Sequence, residues 1–279
     1  MPALKPSWRM VLIFGVGLIP PITVIALVLL LAIRAVPAFQ TVEIGMMLSA
    51  SWAPETGAFG VLPLLVGTVF CAFLSTIACV LVGVPAAVSL AFFASTSERR
   101  VSILVLTVLA SLPSVLVGLF CLELVARYIG LSVASGVIAL FLMTWPSFTL
   151  VLYARLRQQG GQIVDAARAL GIPERKAVYR LVFQKIRGDL TLAATFTLGK
   201  GAGEAMAVSF VIGNVPHAGF LPALFEGAHT LTTMVLKNHG AASGEHLGMV
   251  YVAILILGAL IVFINVLGAF LASKLMKNR

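Results

Sequence analysis

Residues 248–272 read GMVYVAILILGALIVFINVLGAFLA, a run without one charged side chain. A helix rises 1.5 Å per residue, so about 20 apolar residues cross a hydrocarbon core roughly 30 Å thick. The run is long enough to do so. Five more stretches qualify, at about 11–33, 64–94, 101–122, 131–154 and 190–212. Each is continuously apolar instead of alternating. Inside lipid every backbone polar group must be paired within the protein, which leaves helices for such runs. The expected fold is therefore all-α: a polytopic membrane protein with six transmembrane helices.

Composition agrees. Of 279 residues, 60% are hydrophobic and 10% charged, with a mean hydropathy of +1.09. A soluble domain is about 45–50% apolar and about 25% charged. The excess must face lipid, which excludes a cytosolic enzyme, a secreted domain and a disordered chain. The first run follows Lys5 and Arg9 as a signal peptide would. It is too long for a cleaved apolar region of about 7–15 residues, so a retained anchor is expected. Cys71, Cys79 and Cys121 all sit in apolar runs, which suits small buried hydrophobes better than disulfides or a metal site.

The net charge is +9, and its distribution gives the topology. With the N-terminus inside, the outer segments hold only Arg34, Arg127 and Lys237, and Lys200 lies within a span. Every other basic residue, among the 19 Lys and Arg, falls in segments 1–10, 95–100, 155–189 and 273–279. This asymmetry places both termini in the cytoplasm. The basic balance is then a topology signal and needs no nucleic-acid partner. Residues 1–61 are expected to form an N-terminal anchor helix and outer loop, and residues 62–273 a main membrane domain. A cytoplasmic loop lies at about 158–187.

Within that loop Ile163, Ala166, Ala167 and Leu170 share one helix face. Gly171 and Pro173 form a helix stop. A second short helix puts Ala177, Val178, Leu181 and Val182 on one face. Such a hairpin can dock in a partner's groove, or pack back on its own bundle; spacing leaves both open.

Asp165-Ala166-Ala167, with Gly171 four residues on, resembles the EAA loop of ABC importer permeases, with Asp for Glu. The Leu-Pro end of that pattern is Phe183-Gln184 here. Trp52, Pro54, Gly57, Phe59-Gly60, Leu62-Pro63 and Gly67-Thr68 resemble the outer loop of phosphate-specific importer permeases. Pro113-Ser114-Val115 with Gly118 fits the same group, as does Gly203-Glu204-Ala205-Met206-Ala207-Val208 ending in Gly213-Asn214. The stretch from Leu231-Thr232 to Gly244 is more similar to the C subunit of that system than to its A subunit. The resemblance implies a type I ABC importer permease fold in a prokaryotic cytoplasmic membrane. It also implies a second, A-like permease subunit, two ATP-binding subunits and an external phosphate-binding protein. In such a system Asp165, Ala166, Ala167 and Gly171 couple to the ATPase. This chain would bind no cofactor, and ATP and Mg would be used by the partner ATPase.

Lys200 and Glu204 are the charges that fall squarely inside an expected span. Each costs roughly 2.5–3.5 kcal/mol at the bilayer centre even on an insertion scale, so both should face the bundle interior or an aqueous path. Four residues apart, they are expected on one helix face, with Lys200 lining an anion route and Glu204 tempering its field. A structural pair is the alternative. The resembled family usually has Arg at the lysine's position. Lysine offers a point charge, where arginine offers a bidentate fork.

No phosphate-binding P-loop motif and no H-E-x-x-H motif occurs. His217, His229, His239 and His246 lack ligand spacing, and no carboxylate pair suits acid–base work. The expectation is a non-enzymatic transport subunit for phosphate. Sulfate or molybdate is the rival substrate. A lipid-modifying membrane enzyme or a self-contained channel is the rival class.

Overall fold

A computed structural model describes residues 8–47, 49, 51–215 and 221–277. Lys5, His217 and Arg279 lie outside the described residues, as does the side chain of Leu181.

The long helices are α1 (Trp8–Thr41), α3 (Leu62–Val88), α7 (Val133–Ala169), α9 (Phe183–Gly203) and α12 (Gly244–Lys277). Shorter ones are α2 (Ile44–Met47), α4 (Thr96–Ala110), α5 (Ser114–Cys121), α6 (Arg127–Ile129), α8 (Glu174–Ala177), α10 (Met206–Ser209) and α11 (Leu231–Asn238). π-helical turns occupy Ser89–Phe93, Leu122–Ala126 and Val178–Val182. The only sheet among the described residues is an antiparallel pair, β1 (Trp52–Ala53) and β2 (Ala58–Phe59).

Among the described residues four segments are long and apolar enough to cross a bilayer: Gly15–Gln40 within α1, Leu62–Phe93, α7 and α12. The run expected as a straight span over 101–122 is instead two helices, and Thr96–Ala110 meets Ser114–Ile129 at 92°. Pro113 is the cause: it lacks an N–H and pushes the residue before it out of the helical region. Counted as one span, the bent pair is a fifth crossing. The run expected over 190–212 is also broken. α9 ends at Gly203, and Glu204 takes an extended conformation with ψ 121° before the single turn of α10. With Lys185, Arg187, Asp189 and Lys200 along it, α9 is not among the apolar spans. A six-crossing topology needs α9 as its last member, held by packing instead of hydropathy.

That packing uses small residues, as expected where lipid removes the hydrophobic drive between helices. A Cβ on Gly268 of α12 would collide with Thr195 of α9. One on Gly83 of α3 would lie 2.5 Å from the Phe148 ring of α7. Cys79 of α3 meets the Thr144 hydroxyl of α7 at 3.2 Å. The first turns of α1 stand away from the bundle, with Val16, Leu18, Ile19 and Ile22 exposed. Ala35 and Ala38 near its other end are fully buried, and Ala38 lies against Gly248 of α12.

At the end taken as outer, Trp52 and Phe59 meet edge to face, and both rings lie tilted against His246. The N-terminus of α7 is closed by a neighbouring loop: the amides of Val133 and Ala134 donate to the carbonyls of Glu226 and Leu224. At the other end Arg99 and Arg157 donate to the carbonyls of Leu90, Ala94 and Ala91, in and just after the π-helical turn that follows α3.

Candidate functional site

Lys200 sits in the last turn of α9, half-buried. Its Nζ donates to Ser147 Oγ of α7 at 3.3 Å. Gly199 and Gly201 flank it and let neighbours approach: Asn265 of α12 faces the first, and Ala72 and Ser75 of α3 the second. Ser75 is fully buried and returns its hydroxyl to the Ala72 carbonyl. The ammonium is thus half-buried against a neutral hydroxyl of α7, while the glycines on either side of it pack on α12 and α3.

The expected pair with Glu204 is not formed. Among the described residues the ion pairs are Arg155–Asp189 and Arg168–Asp165. Spacing of four residues brings two side chains together only while the helix continues, and here it stops at Gly203. Glu204 turns to the next element, where its Oε1 accepts from the Ala207 amide at 3.1 Å and so caps α10. Gly118 of α5 packs against Ala207 and Phe210. Glu204 thus fixes the break in the chain and leaves Lys200 without an anionic partner among the described residues.

One charged cluster was not foreseen. Asp189 of α9 is 6% exposed, accepts from Gln159 Nε2 at 3.1 Å, and lies 3.7 Å from Arg155 Nε. Arg155, 50% exposed, lines a cavity of about 380 Å³ with Val151, Asp189, Thr195, Phe196 and Asn265. Arg155 and Asp189 fall just outside the expected apolar runs, far apart in sequence, and no local spacing links them. The one available signal is Asp189 itself, an acid at the edge of an apolar run.

The turn after α7, expected on the cytoplasmic side, is built as a helix stop of specific geometry. Gly171 N donates to Arg168 O at 3.0 Å and Ile172 N to Ala167 O at 2.9 Å. This is a Schellman motif, with Gly171 at φ +73°. The apolar face read from the sequence divides in two. Ala167 is buried, as are Val164, Ala177, Val178 and Val182, so much of the hairpin packs on its own bundle. Leu170 remains 78% exposed, and Ala166 and Tyr179 are exposed as well. Asp165 pairs with Arg168 at 3.8 Å on the surface, a contact of little energetic weight. Lys176 and Arg180 border a pocket with Gly171, Ile172 and Pro173. Among the described residues no group of three His, Cys, Asp or Glu side chains could hold a metal ion.

A family model described as "Binding-protein-dependent transport system inner membrane component" matches residues 80–277. A probable ABC transporter permease protein, YqgH of Bacillus subtilis, is 25% identical over 77% of this chain and 74% of its own. The phosphate transport system permease protein PstC of Mesorhizobium japonicum is 24% identical over 81% of this chain and 76% of its own. PstA of Mycobacterium leprae is 28% identical over 79% and 74%. Among solved structures, an inward-facing conformation of the MetNI methionine ABC transporter superposes with a TM-score of 0.66. It has 16% identity and covers 81% of this chain and 99% of that one.

Proposed function

The chain belongs to the family of binding-protein-dependent transport system inner membrane components, and on that premise we propose that it is the permease subunit of an ATP-driven importer for inorganic phosphate. It is itself non-catalytic. It works with a second permease subunit, two ATP-binding subunits that use ATP and Mg, and an external phosphate-binding protein. Both of its termini face the cytoplasm. ATP binding moves the cytoplasmic turn around Asp165, Ala166, Ala167 and Gly171, and the helices that follow expose the route alternately to the two sides.

The observation that carries this reading is the half-buried ammonium of Lys200, met by the neutral Ser147 hydroxyl of α7, on a stretch of α9 whose flanking glycines pack on α3 and α12. A cation so placed repels cations and favours an anion in the route. The likeness to phosphate permeases supports phosphate as that anion. Glu204, engaged with the Ala207 amide, shapes the break beside the lysine instead of neutralising it.

Uptake of labelled phosphate by cells expressing matched amounts of each variant tests the role. Lys200→Arg keeps the charge and transports. Lys200→Met falls by at least about tenfold, the factor that corresponds to roughly 1.4 kcal/mol. Because Glu204 has its own partner, the single change strands no carboxylate. Full phosphate uptake by Lys200→Met defeats the proposal; uptake of labelled sulfate with no phosphate uptake in the unaltered protein assigns the route to another oxyanion.

A further inference from the structure

The face of α7 turned toward α9 carries Ser147, Val151, Arg155 and Gln159, each four residues from the last. The two helices run antiparallel, since Ser147 meets Lys200 while Gln159 meets Asp189. The cavity of about 380 Å³ opens along this contact on the Arg155 side. At 1.5 Å per residue, Arg155 lies about 12 Å beyond Ser147 along the helix.

Resting on the anion-transport reading above, we propose that Arg155 forms a second anion station, on the cytoplasmic side of Lys200, which takes a tetrahedral oxyanion in its guanidinium fork. Three features carry this. Arg155 Nε lies 3.7 Å from Asp189 Oδ1, and among the described residues its guanidinium makes no hydrogen bond. The cation is half exposed and lines the cavity, while the carboxylate is almost wholly covered and accepts from Gln159, so the cavity wall presents more of the positive group than of the negative one. The space suits the ligand: at roughly 30 Å³ per water, it admits an oxyanion with part of its hydration shell. A planar fork matches such an anion bidentately, which the Lys200 ammonium cannot. Asp189 competes for the same guanidinium and keeps the anion releasable, as a transport site requires.

The assembled transporter, reconstituted in nanodiscs, supplies the test. Val151→Cys places a thiol on the cavity wall, and the native Cys71, Cys79 and Cys121 are buried. A negatively charged thiosulfonate should modify it several-fold faster than a positively charged one. Arg155→Gln should abolish that preference, Arg155→Lys should keep it, and millimolar inorganic phosphate should slow the anionic reagent. In uptake assays the pair Arg155→Gln with Asp189→Asn, which strands no buried carboxylate, should transport roughly tenfold less at matched levels.

A thiol inert to both reagents, a preference unchanged by Arg155→Gln, or full uptake by the paired variant overturns the station. So does a preference that follows the phosphatidylglycerol content of the disc and ignores inorganic phosphate, because the occupant is then a lipid headgroup. Charge preference at Val151→Cys without phosphate uptake by the unaltered transporter sinks the substrate reading and leaves the station standing.

Discussion

Gly171 shows how much one backbone position can decide. Its φ of +73° closes α7 and aims Leu170 outward, and a left-handed residue with a Cβ costs roughly 1–2 kcal/mol. A Cβ there would meet nothing within 4 Å, so the penalty is conformational and not steric. Gly171→Ala should leave the protein in the membrane yet weaken the coupling of hydrolysis to uptake several-fold, while Gly171→Asn, which tolerates that conformation, should lose less. Phosphate uptake per ATP hydrolysed in the reconstituted complex measures this, and unchanged coupling in Gly171→Ala removes the turn from the mechanism. At this scale the sequence was partly readable. Lys200 stood out as a charge in an apolar run, and Gly171 with Pro173 as a stop. Partnership was not readable: Glu204 lies beyond the end of α9, and Arg155 and Asp189 meet only because α7 and α9 pack side by side.

Helix ends were harder to read than helix centres. The apolar cores of α1, α3, α7 and α12 follow from hydropathy alone. Hydropathy does not reveal the breaks at Pro113 and Glu204, because an apolar run looks the same whether or not its backbone bends. α4 illustrates an end that local chemistry does specify. Ser95 accepts from the Glu98 amide, and the Glu98 carboxylate accepts in return from the Ser95 amide at 2.8 Å. The Ser95 hydroxyl, then its backbone amide, holds the Glu98 carboxyl below the usual carboxylate range. A depressed acid stabilises the helix end above its unfolded-state pKa, and the contribution is lost as pH falls through the lower folded value. Hydrogen exchange of the amides from Thr96 to Arg99 should therefore quicken on acidification, beyond the intrinsic change, once the carboxyl protonates. Ser95→Ala, which costs about 1 kcal/mol as a lost cap, should show the faster exchange already at neutral pH. Equal protection in both proteins across that range counts against the cap.

For the whole molecule, charge distribution gave an orientation that thiol labelling can test. Gly160, near the start of the expected cytoplasmic loop, is a poor site for a probe, because a Cβ there would lie 2.6 Å from the Phe92 ring. Leu170→Cys and Gly240→Cys are both exposed positions. In intact cells an impermeant maleimide should label only the variant at Gly240, and permeabilisation should add the one at Leu170; labelling of both before permeabilisation refutes the topology. Packing joins these two sides more directly than hydropathy suggests. α7 runs unbroken from Val133 to Ala169, roughly 55 Å at 1.5 Å per residue, so the turn at Gly171 and the outer loop over Val133 share a single rod. Pro146, buried within it beside Ser147, removes one N–H from the ladder without interrupting the helix. Such a rod behaves as a lever with its fulcrum near the lysine: tilting it by about 5° would swing the lower arm, roughly 35 Å long, through about 3 Å. The upper arm would move the opposite way by less, so a push at the cytoplasmic tip would part the helices on one side of Lys200 while closing them on the other.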